Sequence, residues 1–112
     1  MAMFRLDRIR PDAVVIVYLK EPKERFWGVM RSLDSTGTSI LGVDLMAFDD
    51  WLRHLGESAA DQITASLVFF PLFRVEKILL DMPSGEIPSL VERFEAKTGQ
   101  GLHAYLGLEE GG

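Results

Sequence analysis

One glycine, Gly28, interrupts a segment that otherwise favours a β-strand, and it constrains what the chain can fold into. It stands within RFWGVMRSLD, among aromatic, aliphatic and charged residues, and the segment ends at Asp34. A glycine inside a strand packs poorly, so it usually marks a bend, a bulge or a close approach of two backbones. A bend at Gly28 would let one strand serve both halves of a small barrel, whereas the simpler alternative is a plain meander with an incidental glycine. Asp34 is suited to hydrogen-bond the turn that follows it.

Five segments have the composition or alternation of β-strands. They are VVIVYL at 14–19, RFWGVMRSL at 25–33, SILGV at 39–43, SLVFF at 66–70 and RVEKILLD at 74–81. Turn-forming residues separate the first three: Pro22 removes a backbone donor, and Gly37 tolerates a turn conformation that other residues avoid. The first half of the chain therefore predicts a meander of three antiparallel strands.

Two segments have helical features instead. Apolar residues from Leu45 to Leu55 recur at helical spacing, which predicts a short helix over roughly 47–55 that ends at Gly56. The polar stretch ESAADQITAS is expected to connect it to the fourth strand. In PSLVERFEAKTG, Ser89 and Glu92 have the spacing of a capping box and Gly99 can end the helix. One further apolar turn is expected at 102–106.

Length and composition bound the classes of protein that this chain can be. Its 112 residues suffice for one domain, and 47% hydrophobic with 26% charged residues indicates a globular chain rather than a disordered one. No apolar run approaches the roughly 20 residues of a membrane span, and no secretory signal is evident, so a cytoplasmic location is expected. The absence of cysteine excludes disulfides and thiolate zinc sites. A net charge of −5 argues against a general nucleic-acid binder.

Two stretches of the chain resemble the motifs of Sm-like proteins. VVIVYLKEPKERFWGVMRSLDSTGTSILGV resembles the first motif, in which Gly28 lies in the second strand and Asp34 follows before the turn into the third. LVFFPLFRVEKILLD resembles the second motif, with Val75 and Ile78 at its apolar positions.

This resemblance implies a mainly β fold: a five-stranded, strongly bent, antiparallel Sm-like barrel of the Src-homology-3-like type. We expect a single domain over 1–112, with its barrel over about 12–82. The family normally places a helix before the first strand, whereas the residue patterns of this chain predict an inserted short helix between strands three and four and a C-terminal helical extension over about 86–106. The resemblance also implies a ring-shaped homo-oligomer, in which the fourth strand of one subunit pairs with the fifth strand of its neighbour.

The residues of the family's RNA pocket are replaced in this chain. Thr38 stands at the family's asparagine, Gly37 at its base-stacking side chain, and Pro71 and Leu72 at its arginine–glycine pair. We therefore predict a non-enzymatic, oligomeric assembly or binding module as the leading function. Single-stranded RNA binding is the alternative, and an enzyme ranks last because the sequence offers no constellation of acid, base and nucleophile.

The sequence yields two sets of candidate site residues. The candidate ligand or RNA site comprises Asp34, Thr38, Phe73 and Arg74. The candidate subunit interface comprises Val68, Phe69, Phe70, Val75 and Ile78. An apolar edge strand would otherwise promote aggregation, although the phenylalanines among these residues could equally belong to the core or, less simply, form a platform for stacking bases.

No cofactor and no metal are predicted. Asp44, Asp49, Asp50 and His54 could suggest a metal cluster, with Asp50 and His54 one helical turn apart. The simpler interpretation is electrostatic, because carboxylates favour the start of a helix and a histidine favours its end. His103, near the C-terminus, has no partner evident from the sequence.

Overall fold

The structure is a computed structural model that describes residues 8–55 and 65–108. Its strands are β1 (Val14–Leu19), β2 (Glu24–Asp34), β3 (Gly37–Asp44), β4 (Ser66–Pro71) and β5 (Val75–Leu80). Its α-helices are α1 (Phe48–Arg53), α2 (Leu90–Thr98) and α3 (Leu102–Tyr105). The fold is mainly β: all neighbouring strands are antiparallel and form one open sheet in the order β4-β3-β2-β1-β5.

The five predicted strands are confirmed, and their ends lie within two residues of the predicted ones. β3 begins earlier than expected, at Gly37, because the β2–β3 turn occupies only residues 35–36. The predicted helix over 47–55 is shorter in the structure, since a 3₁₀ turn at Leu45–Ala47 precedes α1 and the α-helix ends at Arg53. Gly56 and most of the predicted polar connection lie outside the described residues.

The sheet is packed on both faces, because β2 buries five consecutive residues from Phe26 to Met30. One face carries what we call the inner core, formed by Val15, Val17, Leu19, Phe26, Met30, Ile40 and Phe70. The other face carries the helical core, formed by Trp27, Val29, Val43, Phe48, Trp51, Leu52, Phe94 and Leu102. Side chains that alternate along β2 thus enter two separate cores.

Aromatic contacts hold the helices on the sheet. Trp27 of β2 meets Phe48 of α1 edge-on, with ring centroids 4.9 Å apart. Trp51 of α1 stacks on Phe94 of α2 at 5.5 Å with an interplanar angle of 15°. Such pairs contribute roughly 0.5–1.5 kcal/mol each beyond the burial of their surface, so the contacts connect both helices to β2 energetically.

The start of α2 is tied to the sheet by Asp81, the residue after β5. One carboxylate oxygen accepts hydrogen bonds from the Trp27 indole N–H (3.0 Å) and the Val91 amide (2.7 Å), and the other accepts one from the Leu90 amide (2.9 Å). The predicted capping box of Ser89 and Glu92 is confirmed, as is the end of α2 at a left-handed glycine. Several of the first-turn amides of α2, which have no partner within the helix, are therefore satisfied.

A three-residue 3₁₀ turn, Leu72–Arg74, joins β4 to β5 although these strands lie at opposite edges of the sheet. A link of this length spans at most about 14 Å, whereas the edges of a flat five-stranded sheet lie about 19 Å apart. The sheet must therefore curl at this corner. Within the described residues β4 and β5 are not paired with each other, so the sheet stays open.

Gly28 permits a close approach of two strands. It lies opposite Gly42 in the β2–β3 pair, and a methyl group on Gly28 would lie 2.3 Å from the carbonyl oxygen of Leu41 and 2.6 Å from the Gly42 Cα. The register irregularity of β2 lies further along, between Met30 and Ser32. Of the roles expected for a glycine in a strand, close backbone approach is the one that these distances require.

We predict that Gly28→Ala lowers the free energy of unfolding by about 1–3 kcal/mol, because the new methyl group meets backbone atoms that cannot move aside cheaply. Urea denaturation followed by circular dichroism measures this change. Gly101→Ala is the matched control, since its methyl group would meet nothing closer than a Glu95 carboxylate oxygen at 3.9 Å. The control should change stability by about 1 kcal/mol or less. Equal unfolding midpoints for Gly28→Ala and wild type would contradict the close approach.

Candidate functional site

The β2–β3 turn holds two of the predicted ligand-site residues. One carboxylate oxygen of Asp34 accepts hydrogen bonds from the hydroxyl (2.6 Å) and the amide (2.8 Å) of Thr36, as expected for a turn-stabilising aspartate. These bonds lower the pKa of Asp34 below its ordinary value, because they favour the ionised carboxylate. Thr38 is fully buried and its hydroxyl donates to the Ser32 carbonyl at 2.7 Å. Both side chains are thus engaged in holding the turn.

The other two predicted ligand-site residues, Phe73 and Arg74, lie on the 3₁₀ turn. They differ in whether bonds within the protein already engage the side chain. The Arg74 guanidinium donates to the carbonyls of Lys20 (2.8 Å) and Pro22 (3.0 Å) and lies 3.4 Å from the Glu24 carboxylate. The Arg74 side chain therefore stabilises the β1–β2 turn through hydrogen bonds to its backbone. Phe73, in contrast, is 76% exposed.

A backbone bond brings these two pairs of residues to the same end of the sheet. The Leu72 amide donates to the Thr36 carbonyl at 2.9 Å, which sets the 3₁₀ turn beside the β2–β3 turn. Asp34 and Phe73 are both exposed, but Thr36 engages the Asp34 carboxylate, whereas Phe73 makes no hydrogen bond or ion pair with a described residue.

The predicted interface residues divide between two faces of the sheet. Phe70 belongs to the inner core, and Val68, Val75 and Ile78 pack against it. Phe69 points to the opposite face and is 52% exposed. Four of the five predicted interface residues therefore contribute to the inner core. This agrees with the alternative in which the apolar residues of this region belong to the core.

The exposed residues of this region form what we call the β4 patch: Leu67, Phe69, Leu72 and Phe73. Leu67 is 65% exposed, yet it was absent from the predicted interface. The alternation in SLVFF could have identified it. A strand that buries Phe70 and Val68 on one face places Phe69 and Leu67 together on the opposite face.

β4 is an apolar edge strand. It pairs with β3 on one side, its six residues carry no charge, and Phe69 lies over Gly37, where a methyl group would come within 2.7 Å of the ring. The other edge, β5, exposes Glu76 and Lys77 as well as Leu79. Unpaired backbone groups on an edge strand can pair with another chain, and charged side chains usually oppose this. Among the described residues, β4 itself carries no charged side chain of this kind.

Of the four residues considered for a metal cluster, Asp50 and His54 contact each other, whereas Asp44 and Asp49 contact other residues. Asp44 accepts from the Met46 amide at 2.8 Å, and Asp49 pairs with Arg93 at 2.7 Å. Asp50 pairs with Arg53, and its carbonyl oxygen lies 2.7 Å from the His54 Nδ1. Within residues 8–55 and 65–108, no group of three or more acidic, histidine or cysteine side chains is arranged to hold a metal.

Comparison with known proteins leaves the chain without a family assignment. No protein-family model matches it, and neither the curated proteins nor the solved structures include a significant match. Separately, none of the helices in the described ranges combines the length and the apolar character that crossing a membrane requires.

Proposed function

We propose that this protein is a non-enzymatic assembly module with Sm-like architecture, and that copies of it associate by pairing the β4 edge of one with the β5 edge of the next. The observation that carries the proposal is the β4 edge itself: an uncharged strand whose outer face exposes Leu67 and Phe69. An edge of this kind promotes uncontrolled aggregation unless another strand covers it.

The topology of the sheet supports an Sm-like barrel. The support comes from the strand order β4-β3-β2-β1-β5 of the open sheet and from the three-residue corner between β4 and β5, which requires the sheet to curl around the inner core. The order leaves one edge on each side of a single copy, so β4 and β5 can each accept a strand from a different copy. Pairing of unlike edges is heterologous, and it yields a closed ring when the rotation between copies closes.

Burial of the β4 patch would favour this association. Complete burial of one leucine or phenylalanine side chain contributes roughly 1.5–3 kcal/mol, so covering side chains that are already half-buried contributes about half as much each. Backbone hydrogen bonds along a six-residue strand would add to this and would fix the register.

We predict that the purified protein is a homo-oligomer of uniform size at micromolar concentration, and that Leu67→Lys makes it monomeric, because a lysine on the exposed face of an edge strand opposes strand addition. Size-exclusion chromatography with light scattering measures both masses. Ile87→Lys is the matched control: Ile87 is 70% exposed and lies outside the five strands, so this variant should keep the wild-type mass. A monodisperse wild-type monomer, or an unchanged mass for Leu67→Lys, would contradict the proposal.

Single-stranded RNA binding is the second candidate, and the exposure of Phe73 beside the β2–β3 turn is the observation that favours it. An exposed aromatic ring can stack on a base, which contributes roughly 1–3 kcal/mol per base. The engagement of Arg74 and Thr38 in internal hydrogen bonds leaves this candidate fewer polar groups than the Sm-like family uses.

For this candidate we predict that labelled oligo-uridine binds more tightly at low salt than at high salt, and that Phe73→Ala weakens binding about fivefold or more. Fluorescence anisotropy at two salt concentrations measures both effects. Ile87→Ala, which removes an exposed apolar side chain elsewhere, should leave the affinity unchanged. Absence of binding even at low salt removes RNA binding as a function.

A further inference from the structure

The segment that leads into β1 is fixed in place by Asp12. This residue has a left-handed backbone, with φ of 79°, which is uncommon for a residue other than glycine. Its amide donates to the Met30 carbonyl (2.8 Å), its carbonyl accepts from the His103 Nε2 (2.7 Å), and its carboxylate pairs with Arg31 (2.8 Å). Three contacts from β2 and α3 thus hold a strained residue, and they determine where the preceding arginines lie.

Beside this segment lies a cleft of about 730 Å³. Its lining includes Arg8 and Arg10 together with the apolar residues Leu80, Met82 and Val91. This volume lies within the range of clefts that bind small molecules. An apolar lining with a few charged groups is also typical of such clefts. The cleft is separate from the β4 patch, since it opens at β5, α2 and the segment before β1.

The charged residues of the cleft differ in whether another side chain or backbone group already engages them. The carboxylate of Asp12 is paired with Arg31, and the two oxygens of Asp81 are occupied by three N–H groups. Neither Arg8 nor Arg10 forms an ion pair with any residue in the ranges 8–55 and 65–108. Arg8 and Arg10 are therefore the two guanidinium groups of the cleft that have no ion-pair partner among the described residues.

We propose that this cleft binds a small organic anion, with its phosphate or carboxylate head on Arg8 and Arg10 and its apolar part against Leu80, Met82 and Val91. Guanidinium groups present planar pairs of donors that match the oxygens of both head groups. The amides at the start of α2 do not form the site, because Asp81 already occupies those of Leu90 and Val91. The apolar surface selects an anion with a hydrocarbon or ring portion over inorganic phosphate.

Isothermal titration with four probes tests this site: hexyl phosphate, hexanoate, inorganic phosphate and hexyltrimethylammonium. Hexyl phosphate or hexanoate should bind more tightly than inorganic phosphate, and the cation should not bind. The double variant Arg8→Ala/Arg10→Ala should weaken binding about tenfold or more, because charge-assisted hydrogen bonds are lost. Arg25→Ala/Arg53→Ala removes the same charge from exposed sites outside the cleft and should keep the affinity within about twofold.

Met82→Glu provides a second, independent variant, because Met82 is exposed and its replacement adds a carboxylate to the cleft without removing an arginine. It too should abolish anion binding, while the unfolding midpoint reports that the fold is retained. The proposal is overturned if neither organic anion binds at millimolar concentration, if the cation binds equally well, or if the control double variant loses as much affinity as Arg8→Ala/Arg10→Ala. Preference for one head group over the other identifies the class of anion, and either preference supports the site.

Discussion

Three N–H groups from two distant parts of the chain meet on the carboxylate of Asp81, and the arrangement of the other elements depends on this contact. The indole of Trp27 is buried in the sheet, and a buried donor without a partner costs about 1–3 kcal/mol. The first amides of α2 also need acceptors from outside the helix. Because one side chain satisfies all three donors, α2 docks at one place on the sheet, and Phe94 can stack on Trp51.

Docking of α2 determines which surfaces remain for binding. The helices cover the face of the sheet that carries Trp27 and Val29, and the inner core occupies the other face. The surfaces left exposed include the two sheet edges with the β4 patch, and the cleft between the end of β5, α2 and the segment before β1. The proposed assembly uses the β4 edge and the proposed anion site uses the cleft. Because these surfaces are separate, failure of one proposal leaves the other untouched.

Local patterns in the sequence predicted the elements well, whereas contacts between distant residues could not be predicted. The capping box of Ser89 and Glu92 lies within four consecutive residues, so its confirmation needed no tertiary information. The Asp81 contact joins residues 54 positions apart, and Arg74 reaches the equally distant Lys20, so neither partner was identifiable from spacing. Val68 and Phe69 share one apolar run, and only the folded sheet assigns one to the core and the other to the surface.

A double-mutant cycle between Asp81 and Trp27 tests most directly whether this carboxylate organises the fold. Urea unfolding of wild type, Asp81→Ala, Trp27→Phe and the double variant gives the coupling free energy of the pair, and the loss of packing volume at Trp27 cancels in the cycle. We expect a favourable coupling of about 1–2 kcal/mol, because Asp81→Ala leaves the buried Trp27 indole N–H without its acceptor, and Trp27→Phe removes one of the three donors to Asp81. Strictly additive effects of the two substitutions would contradict it.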